Sequence, residues 1–271
     1  MRLLAAHLRK LVRRPASWVT LVLLLALLAL IYLALIAGAR TSGDPQTALG
    51  ARLFVTFPAA YELVLTLILG IGGLLAVTYG AAVAGSEWGW GTLKSAAARG
   101  ESRTRYTLLN YVAVAILVVV GLVVAFLLGV AGSAAGAVVL NSSLDGMGDR
   151  DGLLRLPELL ARASLALAMN TAFGFAIATV ARSQLAGIAV GVGLFFAEGI
   201  AGLFLPDVFQ WFPFSAASAV TAAGSGAGLG GGGAVVATQL DPDTAIVAVV
   251  VWLVVALGIT ALFTERAEIG G

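Results

Sequence analysis

Gly85-Ser86-Glu87-Trp88-Gly89-Trp90-Gly91-Thr92-Leu93-Lys94, continuing through Arg99-Gly100-Glu101-Ser102-Arg103-Thr104-Arg105, is a polar and basic island between two apolar runs, residues 61–84 and 106–131. Each run is long enough to cross a hydrocarbon core of roughly 30 Å as a helix rising about 1.5 Å per residue. The island is therefore a loop between two spans. The composition agrees: 60% of residues are hydrophobic and 11% charged, where a soluble domain carries about 25% charged residues, and mean hydropathy is +1.02. Such a chain lacks the polar surface to be soluble and reads as an all-α polytopic membrane protein. A net charge of +2 gives no electrostatic reason to expect nucleic acid as a partner. The absence of cysteine removes disulfides, thiolate metal sites and cysteine nucleophiles. The single histidine, His7, lies near the start, so neither a histidine-rich metal site nor a Ser-His dyad within the membrane is expected.

Residues 1–15 carry Arg2, Arg9, Lys10, Arg13 and Arg14 beside Leu4, Leu8, Leu11 and Val12 on one helical face, the pattern of an amphipathic helix lying in the membrane interface. Pro15 ends it, and residues 18–38 form the first span. A signal peptide competes here, with Ala37-Gly38-Ala39 resembling a cleavage site. The apolar stretch exceeds the about 7–15 residues of a signal core, so a retained helix is expected. Residues 40–58 read as a polar loop with Gly43-Asp44-Pro45 as a turn. The second span, 61–84, has Gly70, Gly72, Gly73 and Gly80 to let neighbours approach. The third span is 106–131, and residues 132–157 read as a loop with Asp145, Asp149, Arg150 and Asp151. The fourth span, 159–181, turns tightly at Arg182-Ser183-Gln184 into the fifth, 185–205. Residues 206–243, with Trp211, Phe212, Pro213 and Phe214 before a glycine-rich tract, are too apolar for an ordinary loop and too interrupted to span. They are expected to form an apolar extracellular hairpin, interfacial or re-entrant, before a sixth span at 244–263. Six spans put both termini on one side. An N-in, C-in arrangement collects Arg2, Arg9, Lys10, Arg13, Arg14, Lys94, Arg99, Arg103, Arg105, Arg182 and Arg266 inside, which satisfies the positive-inside rule.

Within the island, residues 87–98 are expected to form a short helix with Trp90, Leu93 and Ala97 on one face, stopped by Gly100, with Ser102 as N-cap of the next helix. An ordinary inner loop accounts for Arg99, Arg103 and Arg105. It does not account for Glu87 ahead of Gly91-Thr92-Leu93, or for Trp88 and Trp90, whose amphipathic rings suit an interface.

Glu87-x-x-x-Gly91-Thr92-Leu93-Lys94, followed by Arg99-Gly100 and Ser102-Arg103 ahead of the third span, resembles the cytoplasmic signature of ABC-2-type permeases. Arg99-Gly100-Glu101 stands where many members carry a proline. The basic N-terminal helix, six spans and hydrophobic hairpin resemble that family's layout as well. The resemblance implies the membrane-spanning subunit of a bacterial ABC exporter in the cytoplasmic membrane. Its coupling helix, the element at 85–105 between helices 2 and 3, would dock on an ATPase through Glu87, Trp88, Trp90, Gly91, Thr92, Leu93, Lys94 and Arg99. It further implies two ATPase subunits carrying ATP and Mg, and a second permease subunit, identical or homologous. This chain itself would be no enzyme and would hold no cofactor or metal. Family substrates include drugs, peptides, lipids and glycans; the apolar hairpin leans toward a lipophilic cargo.

Outside the island, Glu198 lies in the fifth span, seven residues before Leu205. A carboxylate there is costly and reads either as part of a substrate path or as a structural group, with Arg162 as a possible ion-pair partner. Asn170 and Thr171, with Thr66 and Thr78, read either as a polar seam on that path or as interhelical hydrogen-bonding groups. A secondary carrier or channel without an ATPase, using Glu198, is the alternative function; no repeat relates the two halves, as inverted-repeat carriers would require. The glycines at 228–233 lack the Lys-Ser/Thr of a phosphate loop. Gly224-Ser225-Gly226 lacks a membrane base to activate its serine, so an intramembrane hydrolase is not expected.

Overall fold

The structure, a computed structural model, describes residues 2–41, 45–221 and 240–266. Helices follow in the order α1 (Arg2–Val12), α2 (Pro15–Thr41), α3 (Pro45–Leu53), α4 (Ala59–Gly89), α5 (Thr92–Ala98), α6 (Arg103–Val139), α7 (Arg150–Ala181), α8 (Gln184–Phe204), α9 (Pro206–Phe209), α10 (Pro213–Ala219) and α11 (Pro242–Glu265). There is no strand among the described residues. Six of the helices, α2, α4, α6, α7, α8 and α11, are long and apolar enough to cross a membrane. The chain is an all-α protein with the build of a multi-pass membrane protein.

Helices α4 and α7 form the centre: 72% and 67% of their most apolar windows are buried, against 17% for α2 and 22% for α11. Their backbones touch. A Cβ on Gly80 would strike the Thr171 carbonyl, and one on Gly174 would strike the Val77 carbonyl. Small residues allow this approach where lipid gives no hydrophobic drive for helices to associate. The outer helices α2, α8 and α11 keep exposed leucines, valines and phenylalanines along their lengths, as a lipid-facing surface requires.

Several helices outrun the expected spans. Helix α4 continues to Gly89, α6 runs from Arg103 to Val139, and α7 starts at Arg150 and passes through Pro157. The expected loop at 132–157 thus shrinks to residues 140–149. Hydropathy detects only the part of a helix that sits in hydrocarbon, whereas a helix satisfies its own backbone wherever it continues. The Asp149 carboxylate caps α7 by accepting from Gly152 N at 2.9 Å, and Pro157 removes only one N–H near an exposed helix start. The expected loop at 40–58 likewise contains α3. The turn after α7 is as tight as expected, with Arg182 in the left-handed region at φ 51° and the Ser183 hydroxyl capping α8 at Ala186 N.

Helix α1 departs from a purely interfacial role. Leu11 is fully buried, and Leu4 and Leu8 pack beside it against Tyr79, Tyr111 and Val114. The apolar stripe is covered by α4 and α6 instead of lipid, while Arg9, Val12 and Arg13 stay exposed. In the 206–243 segment, α10 folds back into one end of the bundle, with Phe214, Ala216 and Ala217 buried. The glycine tract at 228–233, Ser225 and the rest of 222–239 lie outside the described residues, as do Gly43 and Asp44.

Candidate functional site

Glu87 sits in the last turn of α4, only 6% exposed. A carboxylate taken out of water is costly unless its oxygens find donors and its charge finds cations. Both are supplied by segments far away in sequence. Lys10 Nζ donates to Oε1 at 2.6 Å, and the Arg14 guanidinium donates to the same oxygen at 3.0 Å and to Ser86 Oγ at 3.0 Å. The Thr92 hydroxyl donates to Oε2 at 2.5 Å, and the Tyr106 hydroxyl at 3.1 Å. One side chain therefore ties α1, the α1–α2 elbow, the start of α5 and the first turn of α6 to the end of α4.

The expected helix over 87–98 is broken. Trp90 ends α4, Gly91 turns with φ +64°, and α5 begins at Thr92. Trp90 and Leu93 consequently do not share a helical face. Gly100, at φ +81°, ends α5, and Ser102 caps α6 by accepting from Arg105 N at 3.4 Å, both as the residue types predict.

Charged groups stack on both tryptophans. The Arg14 guanidinium lies 4.6 Å from the Trp90 ring centroid, and that of Arg182, from the α7–α8 turn, lies 5.4 Å from Trp88. Beneath them, Leu93 and Ala96 of α5 pack with Tyr106, Leu3 and Trp88. His7 meets Tyr106 edge-on at 4.6 Å. Its burial holds the imidazole below its ordinary pKa against the opposing pull of Glu87, so the ring is neutral at pH 7.

Of the eight residues expected to contact an ATPase, Glu87 and Leu93 face inward, which corrects the expectation of a surface carboxylate. Thr92 and Trp88 are half-buried and bound within the node. Trp90 and Arg99 are exposed, Gly91 forms the turn, and Lys94 lies in α5. Lys10, Arg14, Ser86, Tyr106 and Arg182 belong to the cluster without having been singled out in the sequence. The signal available was the need of a buried acid for cations, with Lys10 and Arg14 spaced four apart.

At the opposite end of the bundle, Glu198 does not meet Arg162. Arg162 pairs instead with Glu158 at 2.5 Å and Asp243 at 2.8 Å. The Glu198 carboxylate accepts from the backbone amides of Ser215 at 2.5 Å and Phe214 at 3.3 Å, the first turn of α10. Pro213 opens that helix and has no N–H, so the carboxylate takes the first amides the helix leaves without intrahelical partners. A cavity of about 20 Å³ touches Glu198, Asn170, Ser215 and Ser218. Asn170 Oδ1 is buried there without a partner. Thr171 is turned toward Gly80 and gives its hydroxyl to Leu167 O at 2.7 Å, and Thr66 and Thr78 bond carbonyls of their own helix. Of the four residues of the expected seam only Asn170 lines this cavity, beside Glu198.

Compared with protein-family models and with curated proteins, the chain matches none.

Proposed function

We propose that this chain is the membrane-spanning subunit of an ATP-driven ABC exporter, an ABC-2-type permease in a bacterial cytoplasmic membrane, with ATP hydrolysed elsewhere. The observation that carries the reading is the anchorage of α5. Its inner side is pinned through Leu93, Ala96 and the Thr92–Glu87 bond, while Trp90, Ser95, Arg99 and Glu101 face outward around it. The end of the bundle with α5 also holds Arg9, Lys10, Arg13, Arg14 and Arg182, which supports a cytoplasmic position and an N-in, C-in topology. Two ATPase subunits carrying ATP and Mg would dock there, and a second permease subunit would complete the assembly in the lipid bilayer.

Glu87 determines how force would travel. A push on α5 by a closing ATPase reaches α1, α4 and α6 together, because one carboxylate bonds to all of them. The backbone contact between α4 and α7 carries the displacement toward the far end, where Glu198 holds α10. A two-state rearrangement of packed helices of this kind gates a path without chemistry in the chain itself. In the alternative, a secondary carrier using Glu198, that residue would exchange a proton or ion. Its engagement by two α10 amides favours a cap instead.

The test is co-purification from native membranes in mild detergent, scored for a stoichiometric ATPase. Wild type is expected to retain one. Trp90→Ala combined with Arg99→Glu is expected to lose it, with helical content and monodispersity unchanged. A folded wild-type chain that brings down no ATPase would end the exporter reading, and a double variant that keeps it would end docking at α5. Glu87→Arg is unsuitable for this purpose, since it places a third cation beside Lys10 and Arg14.

A further inference from the structure

A cavity of about 240 Å³ opens between α2, α4 and α6, walled by Leu21, Leu24, Leu75, Ala76, Gly121 and Leu122. Along α2 it extends from Ser17 to Leu24, about 10 Å of helix. Four side chains in its lining are polar, and each is already used. Ser17 donates to Leu11 O at 2.7 Å and lies 2.7 Å from the Tyr79 hydroxyl. Thr20 donates to Ala16 O, and the Trp18 indole N–H donates to Val12 O. The donors in the walls are therefore committed, and the rest of the lining is apolar, which favours a guest held by apolar contact.

Size narrows the occupant further. The volume is below the about 300–1,000 Å³ of sites for drug-sized ligands, and a helix about 10 Å across has no room in it. A single hydrocarbon chain fits. The groove is flanked by α2, the span least buried in the protein, so it faces the bilayer side. Its mouth, at Val12, Ser17 and Trp18, adjoins the α1–α2 elbow. Arg9 and Arg13 are exposed there and form no ion pair among the described residues, unlike Lys10 and Arg14.

We infer that this groove binds one acyl chain of an anionic membrane phospholipid, with Arg9 and Arg13 reading the headgroup charge. Lys10 and Arg14 are committed to Glu87, which leaves the neighbouring pair for an outside anion. The lipid would act as a fitted wedge under the elbow, holding α1 against α4. This inference is independent of whether an ATPase docks on α5.

Native mass spectrometry of the delipidated full-length chain, titrated with phosphatidylglycerol or phosphatidylcholine of the same chain length, tests it. Wild type is expected to saturate at one phosphatidylglycerol per chain, with a roughly 30-fold preference over phosphatidylcholine from two arginines near an anionic headgroup. Arg9→Ala with Arg13→Ala is expected to erase the preference while leaving residual binding of both lipids. Gly121→Leu places a side chain in the groove where a Cβ meets only Leu21 at 3.7 Å, and is expected to lower the binding of both lipids at least tenfold. Leu21→Phe is a second filler should the first fail to fold. Equal retention of the two lipids by wild type would overturn the inference. So would saturation unaffected by both fillers, since it would mean headgroup adsorption at the surface only.

Discussion

Glu87 and Glu198 are both 6% exposed and hold opposite ends of the bundle, but they are satisfied by different chemistry. At Glu87 the donors are two cations and two hydroxyls, from four places in the chain. At Glu198 they are two adjacent backbone amides at a helix start. The first arrangement couples many elements and depends on charge. The second fixes one element and depends on an acceptor oxygen facing amides that any residues would supply. A carboxylate that must organise moving parts gains from the first, and one that must keep a helix inserted needs only the second.

Removing the carboxylate at the coupled end should have the largest effect. Glu87→Ala leaves Lys10 and Arg14 facing one another without an anion, and breaking a buried pair in this way costs about 3 kcal/mol. Thermal unfolding in detergent should register the loss, accompanied by faster proteolysis at the α1–α2 elbow. Glu87→Gln should recover little, because the charge is what the cations need. Glu198→Ala should cost less, about 1–3 kcal/mol for unpartnered amides, with faster hydrogen exchange confined to α10. Here Glu198→Gln should restore part of the stability, since its one carbonyl can still accept from Ser215 N while the Phe214 amide loses its acceptor. If glutamine rescues both positions equally, the contrast between them is wrong.

Salt should separate the two ends more gently. Raising ionic strength from about 0.1 M to about 1 M shortens the screening length from about 10 Å to about 3 Å. Exchange in α1 is expected to quicken a few-fold, because Lys10 is 30% exposed, while α10 is unchanged. Acid should have the smallest effect of the three on α1. His7 is neutral in the fold and its pKa is lowered by burial, with Glu87 opposing and Lys10 and Arg14 adding to the shift. Its contribution is complete above the ordinary value of about 6.5 and is lost as pH falls from there toward the folded pKa, because the unfolded chain takes up the proton first. Protection of α1 should decline over that window and become pH-independent in His7→Phe.

The six spans were legible because each is a long apolar run carrying at most one charged residue, as at Glu62, Arg162 and Glu198, and the helix stop at Gly100 and the cap at Ser102 were legible because single residue types carry them. Helix ends beyond the hydrocarbon were not, since Ser86, Glu87 and residues 150–157 continue helices with polar sequence. Glu87 was visible as an oddity, but its partners lie up to 77 residues away, and only packing brings Lys10 to it. Arg162 was the natural partner for Glu198 by position alone. The competing solution, a proline-started helix supplying amides, was written in Phe212-Pro213-Phe214 but required knowing that α10 folds inward. The basic amphipathic pattern of α1 was equally readable; whether lipid or protein covers its apolar stripe is not a property of the stripe.

Gly91 and Gly100 bracket α5, and a Cβ at either would meet nothing within 4 Å. What the chain forbids at these two positions is handedness, not bulk. An L-residue in that backbone region is disfavoured by roughly 1–2 kcal/mol, whereas its mirror image is at home there. A semisynthetic chain with D-alanine at both positions should therefore keep α5 in place, and one with L-alanine should tilt it.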